Sequence, residues 1–141
     1  LLDYLNKRLN FLNEVIKELE LKDIATVHSR AEELQTKGEY RESFDLCVSR
    51  AVSALPTLSE YCLPYVKPGG KFVAYKAVGA DEEIEASKTA IRVLGGEIKD
   101  KAQFTIKDTD YTRVLISIEK IKNTPKKYPR SGGKSSKNPL C

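Results

Sequence analysis

Lys67-Pro68-Gly69-Gly70-Lys71-Phe72-Val73-Ala74-Tyr75-Lys76 is the stretch on which the fold is decided. Proline lacks a backbone N–H and glycine takes positive φ without strain, so Pro68-Gly69-Gly70 stops a helix and turns the chain. The apolar run after it has strand length. Before it, Leu55 to Val66 has helical spacing, with Pro56 in the first turn, where a missing N–H is tolerated. The stretch therefore reads helix, tight turn, strand.

The same alternation extends outward. Upstream, Phe44, Leu46, Cys47 and Val48 lie in a mostly apolar run, Phe44 to Ser49, expected of a strand buried on both faces. Asp23 to His28 is a shorter strand candidate. Leu9, Leu12, Val15, Ile16 and Leu19 fall at helical spacing within Asn6 to Glu20. Downstream, the acids Asp81-Glu82-Glu83 suit a helix start, Ile84, Ser87, Ile91 and Leu94 mark its inner face, and Gly95-Gly96 end it. Two strands, about Glu97 to Ile106 and Arg113 to Ile121, form an antiparallel hairpin around Asp108-Thr109-Asp110. Strands and helices that alternate in this way predict an α/β fold with a mostly parallel sheet and right-handed crossovers.

The 141 residues fit one domain, expected over residues 1–122, followed by a basic Pro/Gly/Ser-rich tail over 123–141 that is extended and poorly packed. From Lys120 onward there are seven basic residues and no acid, which leaves 17 basic against 20 acidic residues before it. A basic end of this kind is expected to meet a polyanion. No run of about 18 apolar residues is present, so no transmembrane helix is expected. Cys47, Cys62 and Cys141 are too few and too scattered for a disulfide framework or a zinc site, and no metal is expected. A chain that opens Leu1-Leu2-Asp3 and contains no Met reads as incomplete at its start.

Parallel sheets bind ligands beyond the carboxyl ends of their strands. Asp3, if Leu1-Leu2 ends a strand, offers two oxygens that match the vicinal hydroxyls of a ribose, or it simply caps the next helix. Ala31-Glu32 follows the second strand, where an adenine could lie, or is the plain start of a surface helix. Arg30 and Arg50 each follow a strand and Lys76 ends a third, and together they would line a positive mouth, with arginine suited to guanine O6 and N7 and lysine to phosphate. His28 is the sole histidine, and neither a Ser-His-Asp arrangement nor a Gly-rich nucleotide loop is present.

Together these segments resemble the small-subunit ribosomal RNA guanine-N7 methyltransferase family, RsmG or GidB. The matching residues are Leu2-Asp3-Tyr4-Leu5-Asn6-Lys7-Arg8, Ser29-Arg30-Ala31-Glu32-Glu33, Ser49-Arg50-Ala51-Val52, Leu63-Pro64-Tyr65-Val66-Lys67-Pro68-Gly69-Gly70, and Lys120-Ile121-Lys122-Asn123-Thr124-Pro125-Lys126-Lys127-Tyr128-Pro129-Arg130. The resemblance implies a Rossmann-like fold that uses S-adenosylmethionine. The family's N-terminal strand and Gly-rich loop would lie before Leu1. It implies cofactor contacts at Asp3, Ala31, Glu32 and Arg50, with Arg50 and Lys76 at the methyl-transfer mouth. RNA contacts fall to Arg30, Lys126, Lys127 and Arg130. The loop Ala77-Val78-Gly79 departs from the family, which more often has Gly directly after that lysine.

The implied partner is 16S ribosomal RNA or the small ribosomal subunit, met in the cytoplasm by a protein that is monomeric when complete. Guanine N7 carries a free lone pair, so the reaction needs positioning more than a general base, which suits a site without catalytic His or Cys. Two other readings fit fewer residues. One is a non-catalytic RNA-binding fragment of such a protein. The other is a nicotinamide-dependent oxidoreductase, for which the fingerprint is absent.

Overall fold

A computed structural model of the chain describes residues 1–35, 38–50 and 53–140. In chain order the elements are β1 (Leu2–Asp3), α1 (Asn6–Glu18), β2 (Val27–His28), α2 (Ala31–Leu34), β3 (Phe44–Arg50), α3 (Leu55–Cys62), a 3-10 turn (Leu63–Tyr65), β4 (Val66–Lys76), α4 (Asp81–Val93), β5 (Gly96–Thr105), β6 (Thr112–Lys120) and α5 (Lys134–Lys137). Among the described residues they form two sheets. One holds β1 and β2 in parallel, and the other has the order β3-β4-β6-β5. β3 and β4 run parallel, while β4 with β6 and β5 with β6 run antiparallel, so the larger sheet is mixed. The C-terminal hairpin is the one expected.

The deciding stretch folds more tightly than a simple turn. Val66 pairs with Phe44, then the ladder skips and resumes at Leu46 with Lys71, so Lys67-Pro68-Gly69-Gly70 bulges out inside β4. Gly69 has φ +87°, and a Cβ on Gly70 would lie 2.6 Å from the Asp45 carbonyl oxygen, so both positions require glycine.

Register assigns the faces. Cys47 opposes Phe72, Ser49 opposes Ala74, and Phe72 and Ala74 oppose Ile118 and Ile116. These residues, with Val114, form the face that α3 and α4 cover, and Leu55, Leu58, Leu63, Ile91 and Leu94 close over it. Burying each such aliphatic side chain contributes about 1.5–3 kcal/mol.

The opposite face corrects one expectation. Leu46 is 56% exposed and Val48 57% exposed, where burial on both faces was predicted. The described residues provide no helix over that side of β3, because α1 packs on β1 and β2 instead. The second strand is also shorter than expected, since Asp23 takes φ +58° and regular pairing begins at Val27.

The C-terminal end differs as well. Thr124, Tyr128 and Ser135 are buried, so residues 123–137 lie against the body instead of trailing from it. Arg41 donates to the backbone oxygens of Thr124 and Tyr128, and Glu42 accepts from the Asn123 side chain and the Thr124 N–H. Lys120, counted above with the basic tail, is 0% exposed. Its ammonium donates to the carbonyls of Leu63 and Val66 and to the Thr124 hydroxyl, and pairs with Glu42 at 3.1 Å. A buried lysine needs this full set of acceptors to stay charged.

Candidate active site

Asp3 ends β1 and lies opposite His28 at the end of β2. One carboxylate oxygen accepts the Leu5 N–H at 2.8 Å and the other faces Arg8 at 3.3 Å. The Leu5 N–H, outweighing the cost of burial and aided by Arg8, holds the carboxyl below the usual range. Asp3 is therefore ionised at neutral pH, an acceptor pair at a strand end. It lines an open groove of about 650 Å³ with Leu5, Lys7, Arg8, Phe11 and Leu12.

The β2 end continues the same sheet. The Ser29 N–H donates to the Asp3 carbonyl, and the Arg30 guanidinium lies 5.6 Å from the centre of the Tyr4 ring. Arg30 is exposed, with Glu33 3.9 Å away. Ala31 and Glu32 begin α2, which has no side-chain N-cap. Glu32 is buried, and after burial itself its charge is the next cause raising the Tyr61 hydroxyl. Gln35 is also buried, and its amide makes no hydrogen bond among the described residues. Ionised Asp3, buried Glu32 and this unsatisfied amide fit a nucleoside better than an apolar ligand.

On the larger sheet, Arg50 ends β3 and opposes Tyr75. Lys76 is the next residue of β4, so the two side chains leave the sheet on opposite faces. Arg50 is exposed on the uncovered face. Lys76 turns to the helix-covered face, where its ammonium donates to the Ser53 carbonyl at 2.7 Å and to Glu83 at 2.6 Å. The same Glu83 oxygen accepts the Leu55 N–H at the start of α3, and so it joins three elements. Ala51 and Val52 lie outside the described residues.

Arg130 is engaged by Glu60 of α3, which is 0% exposed. The Arg130 backbone N–H and Nε donate to one Glu60 oxygen and Nη2 donates to the other at 2.7 Å. Burial would raise the Glu60 carboxyl, but the Arg130 side chain and backbone N–H outweigh it and hold the group below its ordinary range. Lys126 and Lys127 are exposed, and the Lys127 ammonium lies 5.3 Å from the centre of the Tyr128 ring.

The structure thus brings Asp3, Ala31, Glu32 and Arg30 together around β1 and β2. It places Arg50 and Lys76 at the ends of β3 and β4. Sequence reasoning missed Glu60 and the Arg41-Glu42 pair, whose partners lie far away in the chain, and it read Glu83 only as a helix-start acid. No helix is long and apolar enough to cross a membrane, and no cluster of three or more His, Cys, Asp or Glu side chains suits a metal ion, both among the described residues.

Comparison with known proteins supplies the family. The model of the GidB family, rRNA small subunit methyltransferase G, matches residues 1–133. The Ribosomal RNA small subunit methyltransferase G of Lachnoclostridium phytofermentans is 54% identical over 99% of this chain and 58% of its own length. That of Acetivibrio thermocellus is 55% identical over 99% of this chain and 57% of its own length. The chain spans somewhat over half the length of these relatives.

Among solved structures, M. jannaschii TYW2 in complex with AdoMet matches with TM-score 0.64 at 16% identity, over 85% of this chain and 57% of that one. An rRNA methylase from Streptococcus thermophilus matches with TM-score 0.60 at 14% identity, over 86% and 72%. These likenesses show the fold, a Rossmann-like α/β arrangement. On the match over residues 1–133, this chain belongs to the GidB family of rRNA small subunit methyltransferases G.

Proposed function

We propose that the protein containing this chain transfers a methyl group from S-adenosylmethionine to N7 of a guanine in 16S ribosomal RNA. The observation that carries the reading is the placement of Asp3, Ala31-Glu32 and Arg50 at the carboxyl ends of β1, β2 and β3, within a chain of this family. When bound, S-adenosylmethionine supplies a sulfonium methyl, and guanine N7 accepts it without losing a proton first.

The chain's own residues then have mainly positioning work. Asp3, kept ionised by Leu5 and Arg8, accepts from the ribose hydroxyls. The backbone at Ala31 and the buried Glu32 bound the adenine. Arg50, exposed on the uncovered face, reaches the base or the cofactor carboxylate. Lys76, already held by Glu83 and the Ser53 carbonyl, acts by fixing the connection between β3 and α3.

Arg30, Lys126 and Lys127 are exposed cations suited to RNA phosphates, whereas Arg130 serves first to dock the C-terminal segment on Glu60. The protein works in the cytoplasm as a monomer on the small subunit or its RNA. Because the relatives are longer, we assign full activity to a protein of their length and only weak cofactor affinity to residues 1–141 alone.

The test is a methylation assay on the full-length protein. Arg50→Ala is expected to lower methylation at least about 100-fold, in line with losing one charged group at a transfer site, while the melting temperature stays unchanged. Near-normal methylation by a folded Arg50→Ala protein contradicts the role given to Arg50. An inactive full-length wild type contradicts the function itself.

A further inference from the structure

The two sheets carry different parts of the proposed site, so something must set one against the other. The Tyr65 hydroxyl donates to the Ala31 carbonyl at 2.8 Å and so ties α2 to the turn that leads into β4. Tyr65 ends the 3-10 turn that leads into β4, and it is buried. Ala31 is the first residue of α2, a four-residue helix that lacks a side-chain cap and so depends on outside contacts for its orientation. The Gln35 amide is buried beside the same hydroxyl without a well-formed hydrogen bond. Burial pushes the Tyr65 hydroxyl well above its ordinary range, so it remains a donor at any physiological pH.

We propose that Tyr65 is a positioning residue that fixes the adenine-facing turn at Ala31-Glu32 relative to the β3–β4 half of the site. The proposal rests on the reading of that turn as the adenine's neighbour. It goes beyond that reading because Tyr65 touches neither cofactor nor RNA. It acts through the backbone oxygen of Ala31. A nucleoside held between Asp3 and Glu32 feels any shift of α2 directly, whereas a guanine presented at Arg50 does not.

The experiment is Tyr65→Phe in the full-length protein, which keeps the ring and removes only the donor. S-adenosylhomocysteine and adenosine are titrated by calorimetry, and kcat and the KM for each substrate are measured. A single net hydrogen bond predicts that both dissociation constants and the KM for S-adenosylmethionine rise together by about 3–10-fold. The kcat at saturating cofactor and the KM for RNA should stay within about twofold. Unchanged affinities in Tyr65→Phe, with wild type binding normally, overturn this proposal alone. Parallel losses in kcat and in the KM for RNA also overturn it, because they indicate general loosening of the fold. Wild type that binds no S-adenosylhomocysteine overturns the cofactor reading and this proposal with it. Asp3→Ala provides the reference, with affinity expected to fall further than in Tyr65→Phe.

Discussion

In residues 40–140, Phe72, Ala74, Val114, Ile116 and Ile118 are sealed under α3 and α4, and buried charges such as Lys120 and Glu60 find full sets of partners. In residues 1–35, Leu9 and Leu34 are the buried apolar residues among those described, while Phe11 is 68% exposed. Both regions end their strands in candidate site residues. The contrast teaches that the Arg50 side of the candidate site sits on a well-packed core. The Asp3 side leans on a two-stranded sheet, which is marginal by itself in water. Local opening is therefore expected to be easier in the first region than in the second.

The largest effect that would break this comparison is a core truncation. Phe72→Ala is expected to destabilise the full-length protein by about 3–5 kcal/mol, measured by urea unfolding. A loss below 1 kcal/mol would mean that the β3–β6 core is not what holds the fold. Next comes Glu60→Gln, which leaves the Arg130 guanidinium without its buried counter-charge. Breaking such a pair costs up to about 3–5 kcal/mol, and the partial exposure of Arg130 lowers the expectation to about 2–4. The same variant should release the C-terminal segment, seen as faster proteolysis after Lys126 or Lys127.

A pH titration sharpens the same point. The carboxyls of Glu42 and Glu60 are held below the ordinary value of 4.5, against burial, by their donors. Their stabilisation is thus complete above pH 4.5 and is lost as pH falls through the lowered values. Wild type should lose stability in that acid window, and Glu60→Gln should show a shallower loss there. Equal slopes in the two proteins would contradict the role of this pair. The smallest effect is Phe11→Ser, expected within about 0.5 kcal/mol of wild type because the ring is already in water.

The sequence carried the periodic parts of this structure well. Leu55 to Lys76 announced a helix followed by a strand, although the helix stops at Cys62 and Lys67-Pro68-Gly69-Gly70 is a bulge within the strand instead of a turn before it. The alternation of Val114, Ile116 and Ile118 marked a buried face. Asp3 and Arg50 were legible as strand-end residues, the positions where such sheets present ligand-binding groups, and they do end β1 and β3. Lys120 was not legible. It looks like any tail lysine until Glu42 and Thr124 are folded around it, and Glu42 lies 78 positions away in the chain. Glu60 and Arg130 escaped for the same reason. Leu46 and Val48 misled in the other direction, since apolar character predicts burial only when some element is present to cover it.

Hydrogen exchange on the full-length protein, with and without saturating S-adenosylhomocysteine, tests the split site most directly. The account predicts slowing at both ends together, in residues 3–5 and 29–34 and again around Arg50 and the start of α3. Slowing confined to one sheet, or to neither, would contradict it.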